Sequence, residues 1–211
     1  MTFPRYHRAE IAADAIVHAL GVGFALIGGP ILIGLVAAEG DIWPVVAISV
    51  YVATLIAMFT ASASYNLIPI ESWKGWLRRL DHSTIYLKIA GAYTPFAAIS
   101  IGGFVGKTLL ATVWIVALTG LALKLLYPRR FEILSIILYL ALGWAAVFVA
   151  GDVMKSLDSV ALTLIVIAGG LYSLGIVFHL WEKLPFQNAI WHLMVLSATA
   201  VLYAAMAVEF V

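Results

Sequence analysis

Seven apolar stretches divide the chain, with soft edges at Ala15 to Ala37, Trp43 to Ile68, Ser83 to Ile101, Thr108 to Leu126, Ile133 to Ala150, Val160 to Leu180 and Ala189 to Val211. Each approaches the roughly 20 residues that an α-helix needs to cross a hydrocarbon core of about 30 Å. The apolar residues run on continuously instead of alternating. Helices are therefore expected rather than barrel strands, the only other backbone arrangement that a bilayer admits. The intervening segments are too short to hold a soluble domain. The pattern predicts an all-α fold: one integral-membrane bundle of seven transmembrane helices, forming a single domain over residues 1–211. No low-complexity stretch or convincing internal repeat interrupts it.

Composition agrees with this reading. The chain is 64% hydrophobic and only 11% charged, with a mean hydropathy of +1.07, whereas soluble domains are roughly 45–50% apolar. The net charge of +1 gives no reason to invoke nucleic acid, and membrane lipids are the expected partners. With no cysteine, a metal site would have to use imidazole, carboxylate or water. The first apolar run follows Arg5 and Arg8 like a signal peptide. It exceeds the usual h-region of about 7–15 residues and lacks a small-residue cleavage pattern, so it is expected to remain as a helix. Arg5, Arg8, Lys74, Arg78, Arg79, Lys124, Arg129, Arg130 and Lys183 fall on one side of the predicted bundle, against Lys107 and Lys155 on the other. The positive-inside rule then predicts a cytoplasmic N-terminus and an outer C-terminus. Oligomeric state is not readable from the chain.

The polar residues inside this apolar pattern gather towards the predicted cytoplasmic ends. Glu10, Asp14 and His18 are spaced by four and share one stripe of the first helix. First-turn carboxylates are also ordinary complements of the helix dipole. Ser62 and Asn66 share a face at the end of the second span, where such residues commonly hold helices together. Asp81 and His82 precede the third span, and Asp81 has the chemistry of an N-cap. Lys88 lies two turns further into that span, where it either snorkels to the interface or pairs with a carboxylate in the bundle. His179 stands before the turn broken by Pro185, and Asn188 and His192 are four apart at the start of the last span. Ionisable groups in a membrane segment are a functional-site hypothesis by default.

The string Leu80-Asp81-His82-Ser83-Thr84-Ile85-Tyr86, continuing through Ala90-Gly91-Ala92-Tyr93-Thr94-Pro95-Phe96, resembles the third-helix signature of the hemolysin III family, which belongs with the adiponectin and progestin receptors. The resemblance covers nearly the whole chain, through Glu10-x3-Asp14-x3-His18, Ser62-x2-Tyr65-Asn66, Leu138-Tyr139 with Gly143-Trp144, Gly169-Gly170-x-Tyr172, and Asn188-Ala189-Ile190-Trp191-His192. It implies a seven-helix bundle with a cytoplasmic N-terminus, in a bacterial inner membrane. In the better-studied receptors it implies a zinc ion near the cytoplasmic side, held by one histidine on helix 2 and two on helix 7, with a serine and an aspartate beside it. That arrangement looks like a metal-assisted lipid hydrolase acting on ceramide-like amides.

Carried onto this chain, the serine is Ser62, the aspartate Asp81 and the last histidine His192. The other two ligand positions hold Asn66 and Asn188, whose neutral amides are much weaker zinc donors than imidazole. Three readings follow. In the first, zinc is retained by recruiting His18, His82 or His179 beside His192 and Asp81, and the protein hydrolyses a lipid amide or ester. In the second, the pocket is a hydrogen-bonded polar core serving membrane lipid homeostasis or sensing, with zinc below one ion per chain. In the third, Asp81, Lys88 and the histidines relay protons or ions. The second reading is the expectation from sequence.

Overall fold

The computed structural model describes residues 7–127 and 132–211. Arg5, Arg129 and Arg130, counted above for orientation, lie outside the described residues. All regular structure among the described residues is helical. In chain order it comprises α1 (Arg8–Ala38), α2 (Ile42–Leu67), α3 (Glu71–Pro95), a π-helical turn (Phe96–Ile101), α4 (Gly103–Leu126), α5 (Glu132–Gly143), a 3₁₀ turn (Ala145–Val149), α6 (Ala150–Ser156), α7 (Ser159–Leu180) and α8 (Gln187–Phe210). Six helical stretches are long and apolar enough to cross a membrane, with Glu132–Ser156 counted as one.

Local chemistry explains several helix boundaries. His7 and Glu10 form a capping box, in which the Glu10 carboxylate accepts from the His7 N–H at 2.7 Å. Asp41 accepts from Trp43 N at the start of α2, and Asp158 accepts from Val160 N and Ala161 N at the start of α7. Phe186 takes a left-handed conformation with φ 59°, directly after Pro185, and turns the chain into α8.

Two boundaries differ from those expected. The third helix starts at Glu71, not near Ser83, and Ile70 is its N-cap. Asp81 therefore lies inside a continuous helix and is no N-cap. The polar segment from Glu71 to Arg79 extends the apolar one because its own tryptophans, Trp73 and Trp76, give it an exposed apolar side suited to the interfacial belt. At its other end, the expected span runs past Pro95 into the π turn. The fifth span is interrupted near Gly143 and continues to Ser156. There the Tyr93 hydroxyl of α3 donates to Gly143 O at 2.8 Å and accepts from Ala146 N at 3.1 Å. A side chain inserted into the backbone hydrogen-bond ladder is a recognised cause of a helix break.

The bundle is apolar outside and encloses buried polar groups beside two apolar cores. Phe148 is 91% exposed and Ile115 65%, while Asp14, His18, Ser62, Lys88 and Thr199 are buried. Such a surface is stable facing lipid and unstable facing water. One core lies where α1, α2, α7 and α8 meet, around Leu32, Ile48, Tyr51, Leu55 and Met206. A second, around Tyr86, Ala90, Val113 and Leu142, joins α3, α4 and α5. Glycine permits the closest approaches: a Cβ on Gly91 would sit 2.0 Å from Thr54 Oγ1, and one on Gly120 would meet the Tyr86 ring at 2.4 Å.

Gly91→Ala should therefore destabilise the purified protein by about 1–3 kcal/mol through overpacking at the α2–α3 crossing. Gly23→Ala, where nothing lies within 4 Å of the added carbon, should be neutral or stabilising by up to about 1 kcal/mol. Thermal unfolding in detergent checks both.

Candidate functional site

The site begins with the spacing of four in α1. Asp14 and His18 lie one turn apart on the buried face, with side chains 8% and 2% exposed. His18 Nδ1 lies 2.8 Å from the Asp14 carbonyl oxygen and 3.5 Å from Asp14 Oδ2. The same spacing in α8 turns Asn188 and His192 towards α1. Asp14 Oδ1 meets His192 Nδ1 at 2.6 Å, and Asp14 Oδ2 accepts from Asn188 Nδ2 at 3.0 Å. From α2, Asn66 Oδ1 accepts from Asn188 Nδ2 at 3.1 Å, while Asn66 Nδ2 donates to Ser62 O at 3.0 Å. The two asparagines are thus bonded to each other and to the groups around them.

Ser62 is the point on which the rest converges. Its Oγ lies 3.2 Å from His18 Nε2 and 3.5 Å from His192 Nε2, and the Asp81 carboxyl of α3 faces it. The two imidazoles stand edge to face, with centroids 4.3 Å apart. Each Nδ1 faces an acceptor, the Asp14 carboxylate or the Asp14 carbonyl. The ring proton of each neutral imidazole therefore belongs on Nδ1. Two Nε2 lone pairs then face one hydroxyl that has a single proton to give. This is the donor arrangement of metal-ligating histidines, whose far nitrogens are oriented by a carboxylate or carbonyl. Asp14, His18 and His192 offer ligand atoms within 4.8 Å of one another. The chemistry of this set fits a divalent ion such as zinc.

Other candidates from the sequence have different surroundings. Glu10 stands at the rim, where it caps α1 and accepts from Phe186 N at 2.9 Å, tying the start of α1 to the turn before α8. His82 packs its ring near Tyr65 at 6.5 Å, and its carbonyl accepts from the Tyr139 hydroxyl at 2.7 Å. The His179 ring packs at a tilt against Trp191, with centroids 5.0 Å apart, and its carbonyl accepts from Gln187 Nε2 at 2.8 Å. Neither His82 nor His179 belongs to the Asp14–His18–His192 group. Lys88 neither snorkels nor pairs with a carboxylate of the described residues. It is 3% exposed, and Nζ donates to the Tyr172 hydroxyl. Sequence reasoning missed Tyr172 and Thr199 as polar partners inside the bundle. Tyr172 stood in a quoted motif, but nothing local marked its hydroxyl as inward.

A helical bundle with an apolar exterior and a buried group of carboxylate, imidazole, amide and hydroxyl side chains at one end defines a polytopic membrane protein with an internal polar site. Comparison with known proteins makes the class specific: the family described as "Haemolysin-III related" matches residues 9–203. The chain belongs to the hemolysin III family. It is 35% identical to the Hemolysin-3 homolog of Bacillus subtilis (strain 168), over 92% of this chain and 91% of the relative. It is 37% identical to Hemolysin-3 of Bacillus cereus, over 92% and 89%. A more distant likeness, 29% identity over 93% of this chain and 82% of the relative, links it to the human Monocyte to macrophage differentiation factor.

Asp14→Ala removes the acceptor of both His192 Nδ1 and Asn188 Nδ2 and should cost about 1–3 kcal/mol of stability, the range for stranding a buried polar group. Glu10→Ala at the exposed rim should cost less, because water replaces the lost acceptor. Equal losses for the two in thermal unfolding would contradict this ordering.

Proposed function

We propose that this chain is a single seven-span domain of a bacterial inner membrane that acts in membrane lipid homeostasis through the site at its cytoplasmic end. There His18 makes up for the imidazoles absent at positions 66 and 188. The observation that carries this reading is the convergence of the His18 and His192 Nε2 atoms on Ser62 Oγ, at 3.2 and 3.5 Å. The seventh span is α3 continued through the π turn, from about Ser83 to Ile101. The N-terminal end is cytoplasmic because Arg8, Lys74, Arg78, Arg79, Lys124 and Lys183 cluster with the site. Three of them also join the helix ends there: Lys74 Nζ donates to Tyr65 O at 2.5 Å, Arg79 to Leu125 O at 3.1 Å, and Arg78 to Glu132 at 2.5 Å.

Zinc bound through the Nε2 atoms of His18 and His192 would polarise a lipid ester or amide carbonyl and lower the pKa of a water to about 7. The chain's own contribution is orientation and proton handling. Asp14 fixes both rings through their Nδ1 atoms, Ser62 Oγ offers a hydrogen bond to the lipid carbonyl oxygen, and the Asp81 carboxyl beside Ser62 accepts the proton released on attack. A second reading is favoured by the bonds joining Asn66, Asn188 and Asp14. In it, the same residues form a metal-free polar core that senses lipid. Lys88 bonds to Tyr172 and lies outside the Asp14–Ser62–His192 network, so a relay through it has the least support.

Elemental analysis of protein purified without chelator should find zinc, and either His18→Ala or His192→Ala should reduce it at least about tenfold. Loss in His192→Ala alone would remove the recruited role of His18, and absence of zinc from the folded wild type would favour the metal-free core. The double change Asn66→His with Asn188→His supplies two imidazoles and should raise zinc affinity by about tenfold or more, read by competition with a chromogenic chelator.

A further inference from the structure

The two helices that carry Ser62 and Asp81 also present an outer face to lipid, and that face is not flat. α2 and α3 are in tight contact where Gly91 meets Thr54. Further towards the end that holds the Asp14–His192 site, a groove of about 340 Å³ opens between them, running from Ala57 and Thr84 to Ser64 and Leu77. Seven residues of helix rise by about 10 Å, most of the roughly 15 Å of hydrocarbon in one leaflet.

The groove is apolar in spite of its composition. Three of its residues carry hydroxyls, but each donates within its own helix: Thr60 to Ile56 O at 2.6 Å, Ser64 to Thr60 O at 2.6 Å and Thr84 to Asp81 O at 3.0 Å. No hydroxyl proton is left to hold water there. Ala57 and Ala61 are too small to fill the space, so a channel remains, walled on the α3 side by Leu77 and the 43% exposed Leu80.

Beyond the shallow end of the groove the chemistry reverses, and donors stand without acceptors. Lys74 precedes Leu77 by three residues, Trp73 precedes it by four, and Trp76 precedes Leu80 by four, so all three lie on the groove's side of α3. Helical side chains lean towards the helix N-terminus, here towards the membrane interface. Lys74 Nζ donates to Tyr65 O at 2.5 Å and stands 5.2 Å from the centroid of that ring, which leaves two of its three protons. Among the described residues no carboxylate forms an ion pair with it, Glu71 one turn away included. Trp73 and Trp76 are 56% and 63% exposed, and neither indole N–H has a hydrogen-bond partner among the described residues. The neighbouring cations are engaged elsewhere: Arg78 pairs with Glu132, and Arg79 donates to Leu125 O on α4.

An acyl chain alone would fill the channel and leave these donors to water, whereas a phosphate at the head of that chain accepts from them. We propose that the α2–α3 groove holds one anionic glycerophospholipid of the surrounding leaflet. Its phosphate sits between the Lys74 ammonium and the Trp73 indole, and one acyl chain lies along Ala57, Ala61 and Leu80. Charge complementarity selects a lipid with net negative charge, because a zwitterionic head brings an ammonium of its own to compete with Lys74. The bound lipid braces α2 and α3 from outside, at the turns that carry Ser62 and Asp81 within. The groove shares no residue with the Asp14–His192 network, so the proposal stands or falls separately from the metal reading.

The test is native mass spectrometry of the full-length protein released from nanodiscs that mix phosphatidylglycerol and phosphatidylcholine with identical acyl chains. The monomer should retain one phosphatidylglycerol, favoured over phosphatidylcholine at least about fivefold, the effect of one basic residue at a membrane surface. Lys74→Gln should bring the two lipids close to parity, and Lys74→Arg should keep the preference. Ala61→Phe fills the groove without touching the cation and should cut retention of both lipids, with thermal unfolding in lipid-free detergent confirming that the variant is folded. Equal retention of the two lipids by the wild type overturns the proposal. So does an undiminished preference in Lys74→Gln, or unchanged phosphatidylglycerol retention in folded Ala61→Phe. A dimer that Ala61→Phe dissociates would assign the groove to a second copy of the chain and overturns it as well.

Discussion

The contact between the Asp14 carboxylate and His192 joins the first and last helices of the chain across 178 residues of sequence. A carboxylate this deep in a bundle surrounded by hydrocarbon is tolerated only with its oxygens occupied. Asp14 meets that requirement with groups from α8, so α1 and α8 must be neighbours in a fixed register. Once they are, Asn188 reaches both Asp14 and Asn66, and the two imidazoles face Ser62. The Glu10 contact with Phe186 N repeats the constraint at the rim, where the turn enters α8.

The same dielectric argument separates the interior into two kinds of polar environment. At the end of the bundle where α1 begins, acidic, imidazole and amide groups satisfy one another in a dense network. Deeper in the bundle, Lys88 has tyrosine and threonine for company and an apolar space beside it. The first is crowded with donors and acceptors and suits chemistry at a polar atom. The second is dominated by hydrocarbon with one positive charge.

Much of this architecture was legible in the sequence because its cause is local. Six of the apolar runs correspond to helices of membrane length, and the one-sided polar residues came from simple counting along each span. The start of α3 was hidden because Trp73 and Trp76 anchor an otherwise polar segment that hydropathy alone reads as loop. The break at Gly143 was hidden because its cause, the Tyr93 hydroxyl, is some fifty residues away. At the site, the spacing of Asp14 and His18 identified a shared face, but first-turn carboxylates are so common that the spacing could not mark Asp14 as the hub. That rank comes from its partners on α8, which are distant in sequence. Lys88 was conspicuous from the start, and the identity of its neighbour depended on a packing of α3 against α7 that periodicity does not encode.

Because Asp14 and His192 are contributed by opposite ends of the chain, the site has a place in time as well as in space. A ribosome delivers α1 first and α8 last, so Asp14 and His18 enter the membrane long before the side chains that satisfy them. Until α8 inserts, the buried carboxylate lacks its contacts to His192 and Asn188. Completion of the last span therefore coincides with neutralisation of the first. Insertion of α8 is the step that both joins it to α1 and creates the site, and a chain that stops before α8 has neither.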